Sequence, residues 1–163
     1  MAQNVGTPLS GEIVSQWMDS SDLETMGAVF ALLHTPEQYQ RIKPALNFEN
    51  YRTFHLRYYE RCLREDPEGE WCDSRYTAAH SLVAWFTGLW NDETMPREAL
   101  RQLKSLLARL YLEGDEELKV AVITGALEHL FANRKILRFF ADWKSDPHLK
   151  AAYFEALNYA DDE

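Results

Sequence analysis

EELKVAVITGALEHLF, residues 116–131, carries apolar side chains at Leu118, Val120, Val122, Ile123, Leu127 and Leu130. Steps of three and four dominate it, and no alternation of two is sustained, which is the period of a helix. Asp115 stands before it as an N-cap, and Gly114 closes the segment that precedes it. A helix apolar on most of its sides is a central one. The rest of the chain is therefore expected to pack around it.

The same period continues outward in both directions. Pro96 opens a helix with a leucine ladder at Leu100, Leu103, Leu107 and Leu110. Ser74 caps a helix over 74–91 that carries Ala78, Leu82, Trp85, Phe86 and Leu89. Asp66-Pro67-Glu68-Gly69 separates it from an aromatic helix over 48–65. On that helix Phe48, Tyr51, His55, Tyr58 and Cys62 share one stripe, while Arg57, Arg61 and Arg64 share another. With Arg41, Lys43 and Arg52 near, the arginines are read as a solvated face, because the tyrosines that would stack on bases lie on the inward stripe.

Nearer the N-terminus, Thr35-Pro36 begins a short helix. Ser21 and Glu24 read as a capping box for a helix whose inward face is Leu23, Met26, Phe30 and Leu33. A first helix is expected over 9–18, after a loose 1–8. Beyond the central helix, 134–144 and 147–159 are expected to be helical, parted by Asp146-Pro147, with an acidic tail at 160–163. Ser81, Ala84 and Gly88 share a face that Thr124 and Gly125 are placed to meet. The expected fold is all-α and a single domain over 1–163. It is either an antiparallel multi-helix bundle or a short HEAT-like α-solenoid, since 74–112 and 115–159 both read as hairpins but align poorly.

Composition bounds the function. A chain of 163 residues, 46% apolar, is long enough for a real core. Its net charge is −9, and the first forty residues hold five acids and no base. Proteins that bind phosphate backbones gain affinity from Lys and Arg, so nucleic acid and anionic membranes are not the expected partners. The apolar run from Gly27 to Leu33 falls far short of the roughly 20 residues that cross a bilayer. No basic, apolar leader precedes the first helix, so a cytoplasmic site is expected. A disulfide between Cys62 and Cys72 is sterically conceivable; reduced thiols are the expectation there.

Alternating helix direction places three turns at one pole. It gathers Asp66, Glu68, Glu70, Asp73, Glu113, Asp115, Glu116 and Asp146, with Trp71 inside the first acidic loop. Two accounts of that pole compete. Acids at helix N-termini cap free N–H groups and complement the macrodipole, which explains Asp73, Asp115, Glu116 and Asp146 without a partner. Trp71 folding back onto the core fits that account. Alternatively, an acidic rim around an aromatic anchor suits the docking of a basic protein.

No metal or catalytic motif is present, and no cofactor is expected. His80, Thr124, Glu128 and His129 fall on helices near one another, and a buried Glu beside a His can serve acid–base chemistry. Such groups more often satisfy each other, and three of them (Glu128, His129, His80) are kept as the enzyme or small-ligand alternative.

HSLVAWFTGLW at 80–90, LYLEGDEELKVAVITGALEHLF at 110–131 and FFADWKSDPHLKAAYFEAL at 139–157 together resemble a group of small bacterial helical proteins of unassigned function. Some of these are encoded beside polymorphic toxin genes. The resemblance implies an immunity-type protein that binds and neutralises a toxin, and it assigns no contact residue. A helical adaptor that binds peptides is the second expectation.

Overall fold

The computed structural model describes residues 6–69 and 71–161. Its helices start where short polar side chains take up free backbone N–H groups. Ser10 opens α1 (Gly11–Met18), Asp22 opens α2 (Leu23–Leu33), and Asn47 opens α4 (Phe48–Glu65). Ser74 opens α5 (Arg75–Asn91) and Asp115 opens α7 (Glu116–Val122). Pro36 begins α3 (Pro36–Tyr39), and Pro96 stands before α6 (Arg97–Glu113). The capping box expected of Ser21 and Glu24 does not form, and Asp22 is the N-cap instead. There Asp22 accepts from the Thr25 N–H at 2.8 Å, a stronger acceptor than a serine hydroxyl.

The expected helix over 9–18 loses its first two residues. Leu9–Ser10 (β1) pairs in parallel with Ile42–Lys43 (β2), a non-local contact invisible to local periodicity.

Helices α4, α5, α6 and α7 all touch one another, α4 reaching across to α7. That mutual contact makes a bundle, because in an open solenoid each element meets only its neighbours. The core runs through it: Tyr58, Tyr59, Leu63, Leu82, Phe86, Leu103, Leu107, Val122 and Leu127 are essentially inaccessible. The loops that join these helices are short, so they run antiparallel. Helix α2 lies against α4, and α1 against α2.

The central helix over 116–131 is not uniform. After α7 it widens into a π-turn (Ile123–Leu127), where the Glu128 N–H reaches back to Ile123, before α8 (Glu128–Phe131). Thr124 Oγ1 donates to the Val120 carbonyl at 3.0 Å, and Gly125 sits hard against α5. A Cβ on Gly125 would stand 3.0 Å from that of Ala79 and 3.3 Å from the Tyr76 ring. The glycine contact is thus with Ala79 and Tyr76, and not with the expected Ser81, Ala84 and Gly88 face, where Gly88 looks into open space.

The segment expected as one helix over 134–144 divides. After α9 (Arg134–Phe139), the Phe140 N–H shifts to the closer Leu137 carbonyl, and a 3₁₀ turn (Ala141–Lys144) follows. Phe140 and Trp143 are thereby driven into the core beside Phe86 and Phe131. The last helix, α10 (Lys150–Asp161), starts three residues later than expected, after an Asp146 turn.

Candidate functional site

The end of the bundle where α4 and α6 stop is also where α2, α5 and α7 start. At its centre is the link from α4 to α5. Asp66 ends α4 with φ at 44°, the left-handed region that Asp tolerates better than most residues. Its Oδ1 accepts the Arg75 N–H at 3.1 Å. Arg75 is 8% exposed and donates from Nε to the Leu63 carbonyl at 2.6 Å and from Nη2 to that of Arg64 at 3.3 Å. One buried guanidinium thus satisfies carbonyls that the end of α4 leaves open.

The loop beyond is held from α2. Gly27 lies directly beneath the Trp71 carbonyl, where a Cβ would overlap it, and the Cys72 thiol donates to the Leu23 carbonyl at 3.1 Å. The Asp73 N–H donates to the Tyr58 hydroxyl at 3.1 Å. With its backbone fixed in this way, Trp71 projects outward and is 55% exposed. It does not fold back onto the core.

Two of the three acidic turns meet here. Asp66, Glu116 and Glu117 border a shallow groove of about 360 Å³ between α5 and α7, with Arg75, Tyr76 and Val120 as its other walls. Tyr76 and Val120 are each 47% exposed. Glu68 is exposed in the loop nearby. Asp115 is spent on its helix, accepting the Leu118 N–H at 2.8 Å. Glu113 is also paired: it meets Arg64 Nη2 at 2.6 Å, which shares itself with Glu60 at 3.1 Å. Asp73 keeps one carboxylate oxygen buried with no hydrogen-bond partner among the described residues, as does the Tyr59 hydroxyl. Glu70 lies outside the described residues.

Asp146, expected at this end, does not join it. Helix α9 has six residues, about 9 Å of rise, too little to recross the bundle. The chain before Asp146 is tied further down: Phe139 packs on Phe86 and Trp90, and Lys104 holds the Phe139 carbonyl and Asp142. Asp146 caps the start of α10 there, accepting from the His148 and Leu149 N–H groups.

No family model matches the chain, no curated protein is significantly similar to it, and no solved structure matches its fold. Its own residues carry the functional reading.

Sequence reasoning missed several of them. Tyr76, Glu117 and Val120 line the groove, and they become visible only once α5 and α7 are known to be adjacent. Asp22, Glu24 and Glu65 add to the same pole, and their signal was present in the alternation of helix direction, which puts the start of α2 beside the end of α4. Burial first, and then the charges of Glu24, Asp22, Asp73 and Glu65, raise the Cys72 thiol above its ordinary range. Burial pushes Cys62 up to about 12. Both cysteines are free, and neither is tuned as a nucleophile.

The arginine stripe of α4 is not a solvated face. Arg57 donates to the Met18 and Ser20 carbonyls, each at 3.0 Å, and Arg61 to that of Ser21 at 2.8 Å. They clamp the turn between α1 and α2. His80 and His129 meet edge to face at 5.3 Å, with Glu128 3.5 Å from His129 Nε2, on a partly open surface. Among the described residues no group of three His, Cys, Asp or Glu side chains is placed to hold a metal ion, and no helix is long and apolar enough to cross a membrane.

A second histidine pair lies deeper. His55 is fully buried among Phe30, Tyr51, Phe54, Tyr59 and Trp85. Its Nδ1 is 2.7 Å from the Tyr51 carbonyl, which only accepts, so Nδ1 carries a proton. Burial lowers its pKa to about 3, so Nε2 is bare and accepts from His34 Nε2–H at 2.8 Å. Burial also lowers the pKa of His34, against an opposing effect of Asp73.

Proposed function

We propose that the protein is a non-enzymatic, cytoplasmic binding module of the immunity type, which occludes a cognate bacterial toxin with a basic domain by stoichiometric docking at its acidic pole. The observation that supports this most is the company Trp71 keeps. A tryptophan that stands out of the core, at an end of the bundle that also carries Asp66, Glu68 and Glu117 with no ion pair among the described residues, has the make-up of an interface anchor with an electrostatic rim. The net charge of −9 suits steering of a basic partner. The likeness of 80–157 to helical proteins encoded beside toxin genes supports the same reading.

Affinity capture from the native host, followed by co-expression of what is captured, tests it. The expected result is one protein that is toxic alone and harmless beside this chain. Several proteins sharing a short motif would replace this reading with the peptide adaptor. With the partner in hand, Glu68→Gln, Glu116→Gln and Glu117→Gln together should slow association roughly tenfold at low salt and flatten its salt dependence. Unchanged rates would refute the steering.

A further inference from the structure

The groove between α5 and α7 differs from the rest of the acidic pole in having an apolar floor. Tyr76 and Val120 both line it, each half exposed among the described residues. Gly125 sets the depth of that floor, because a Cβ there would press on the Tyr76 ring at 3.3 Å and lift it. The charges at the rim are unequal. Glu116 pairs with Lys119 at 2.9 Å, whereas Glu117 forms no ion pair among the described residues. Asp66 uses one oxygen on the Arg75 backbone, and the Arg75 guanidinium is turned inward onto two carbonyls. The groove therefore combines an apolar floor with surplus negative charge at its lip.

We propose that this groove receives one arginine or lysine side chain of a protein partner. The methylene stem crosses Tyr76 and Val120, and the cationic head lies between Glu117 and Asp66. This rests on the binding reading above and adds the chemistry of the contact. Long basic side chains are the ones that present an apolar stem and a charged end together. A cation over the open Tyr76 face gains from the ring quadrupole as well as from the carboxylates. An apolar side chain would leave Glu117 unanswered, and an acidic one would be repelled.

The test uses the full chain and acetyl-Arg-Arg-Arg-amide, with acetyl-Glu-Glu-Glu-amide as control, followed by amide and methyl NMR. The arginine peptide should shift Asp66, Tyr76, Glu117 and Val120 more than acids remote from the groove such as Glu12, Asp142 and Glu155, and the glutamate peptide should shift none of them. Tyr76→Phe should bind as the parent does, while Tyr76→Ala and Glu117→Gln should each weaken the peptide roughly threefold. The two side chains are exposed or at the lip, so the fold is retained, and an unchanged spectrum away from the groove checks this. Shifts spread evenly over all acidic surface, or equal affinity in Tyr76→Ala, would overturn the proposal. A captured partner that binds Tyr76→Ala and Glu117→Gln as tightly as the parent would overturn the groove and leave the immunity reading intact. Failure to capture any partner, with the peptide shifts in place, would strike the immunity reading alone.

Discussion

His55 is where a single protonation has the largest reach. Its folded pKa is about 3, against an ordinary value of about 6.5 for an unfolded histidine. As pH falls, the unfolded chain takes up this proton first, so the contribution to stability is complete above about pH 6.5 and is lost below it. The slope should approach 1.4 kcal/mol per pH unit between roughly pH 6 and 4. Denaturant titrations at a series of pH values should show it, and His55→Phe should remove that part of the slope. A slope unchanged by the substitution would mean that the imidazole is not buried and neutral. Arg75 offers a second test. Arg75→Met keeps the stem but strands the Leu63 carbonyl and the other carbonyl it serves, and should cost about 2 kcal/mol, read as a shift in the denaturant midpoint at constant m. Neither residue is conspicuous in the sequence. His55 sits on an aromatic stripe, and Arg75 follows a cap like any helix-starting residue. Only the path of the neighbouring chain turns them inward.

Between elements, the decisive positions are close approaches. Gly27 admits the backbone of the loop over 71–73 onto α2. Gly27→Ala should cost several kcal/mol by forcing the loop away, and it should change Trp71 emission even where the protein stays folded. A change in stability without any change around Trp71 would place the strain elsewhere. Which elements form was legible from side-chain period and caps: α4, α5, α6 and the 116–131 helix stand within a residue or two of where Phe48, Ser74, Pro96 and Asp115 put them. What was not legible depends on contacts distant along the chain. The π-turn answers Gly125 against Ala79, the break in 134–144 answers the burial of Phe140 and Trp143, and the β1–β2 pair joins segments thirty-three residues apart. The pole was half legible for the same reason. Direction alternates where helices are long, which brought Asp66 to Glu116, and it fails at α9, which is too short to carry Asp146 there.

For the molecule as a whole, the acidic end divides into carboxylates that hold helices and carboxylates, such as Glu68 and Glu117, that make no ion pair among the described residues. Asp22 and Asp115 cap α2 and α7, and Glu113 is locked to Arg64. Asp115→Ala should therefore lower stability by about 1 kcal/mol, whereas Glu68→Gln with Glu117→Gln should leave the melting temperature within a degree or two, which scanning calorimetry resolves. Equal losses in both variants would erase the division. If it stands, the protein can revise its outward charge pattern by substitutions at unanchored sites while its scaffold acids stay put. A lineage of such proteins would then diverge fastest at Glu68, Trp71, Tyr76 and Glu117, and most slowly at the caps beside them.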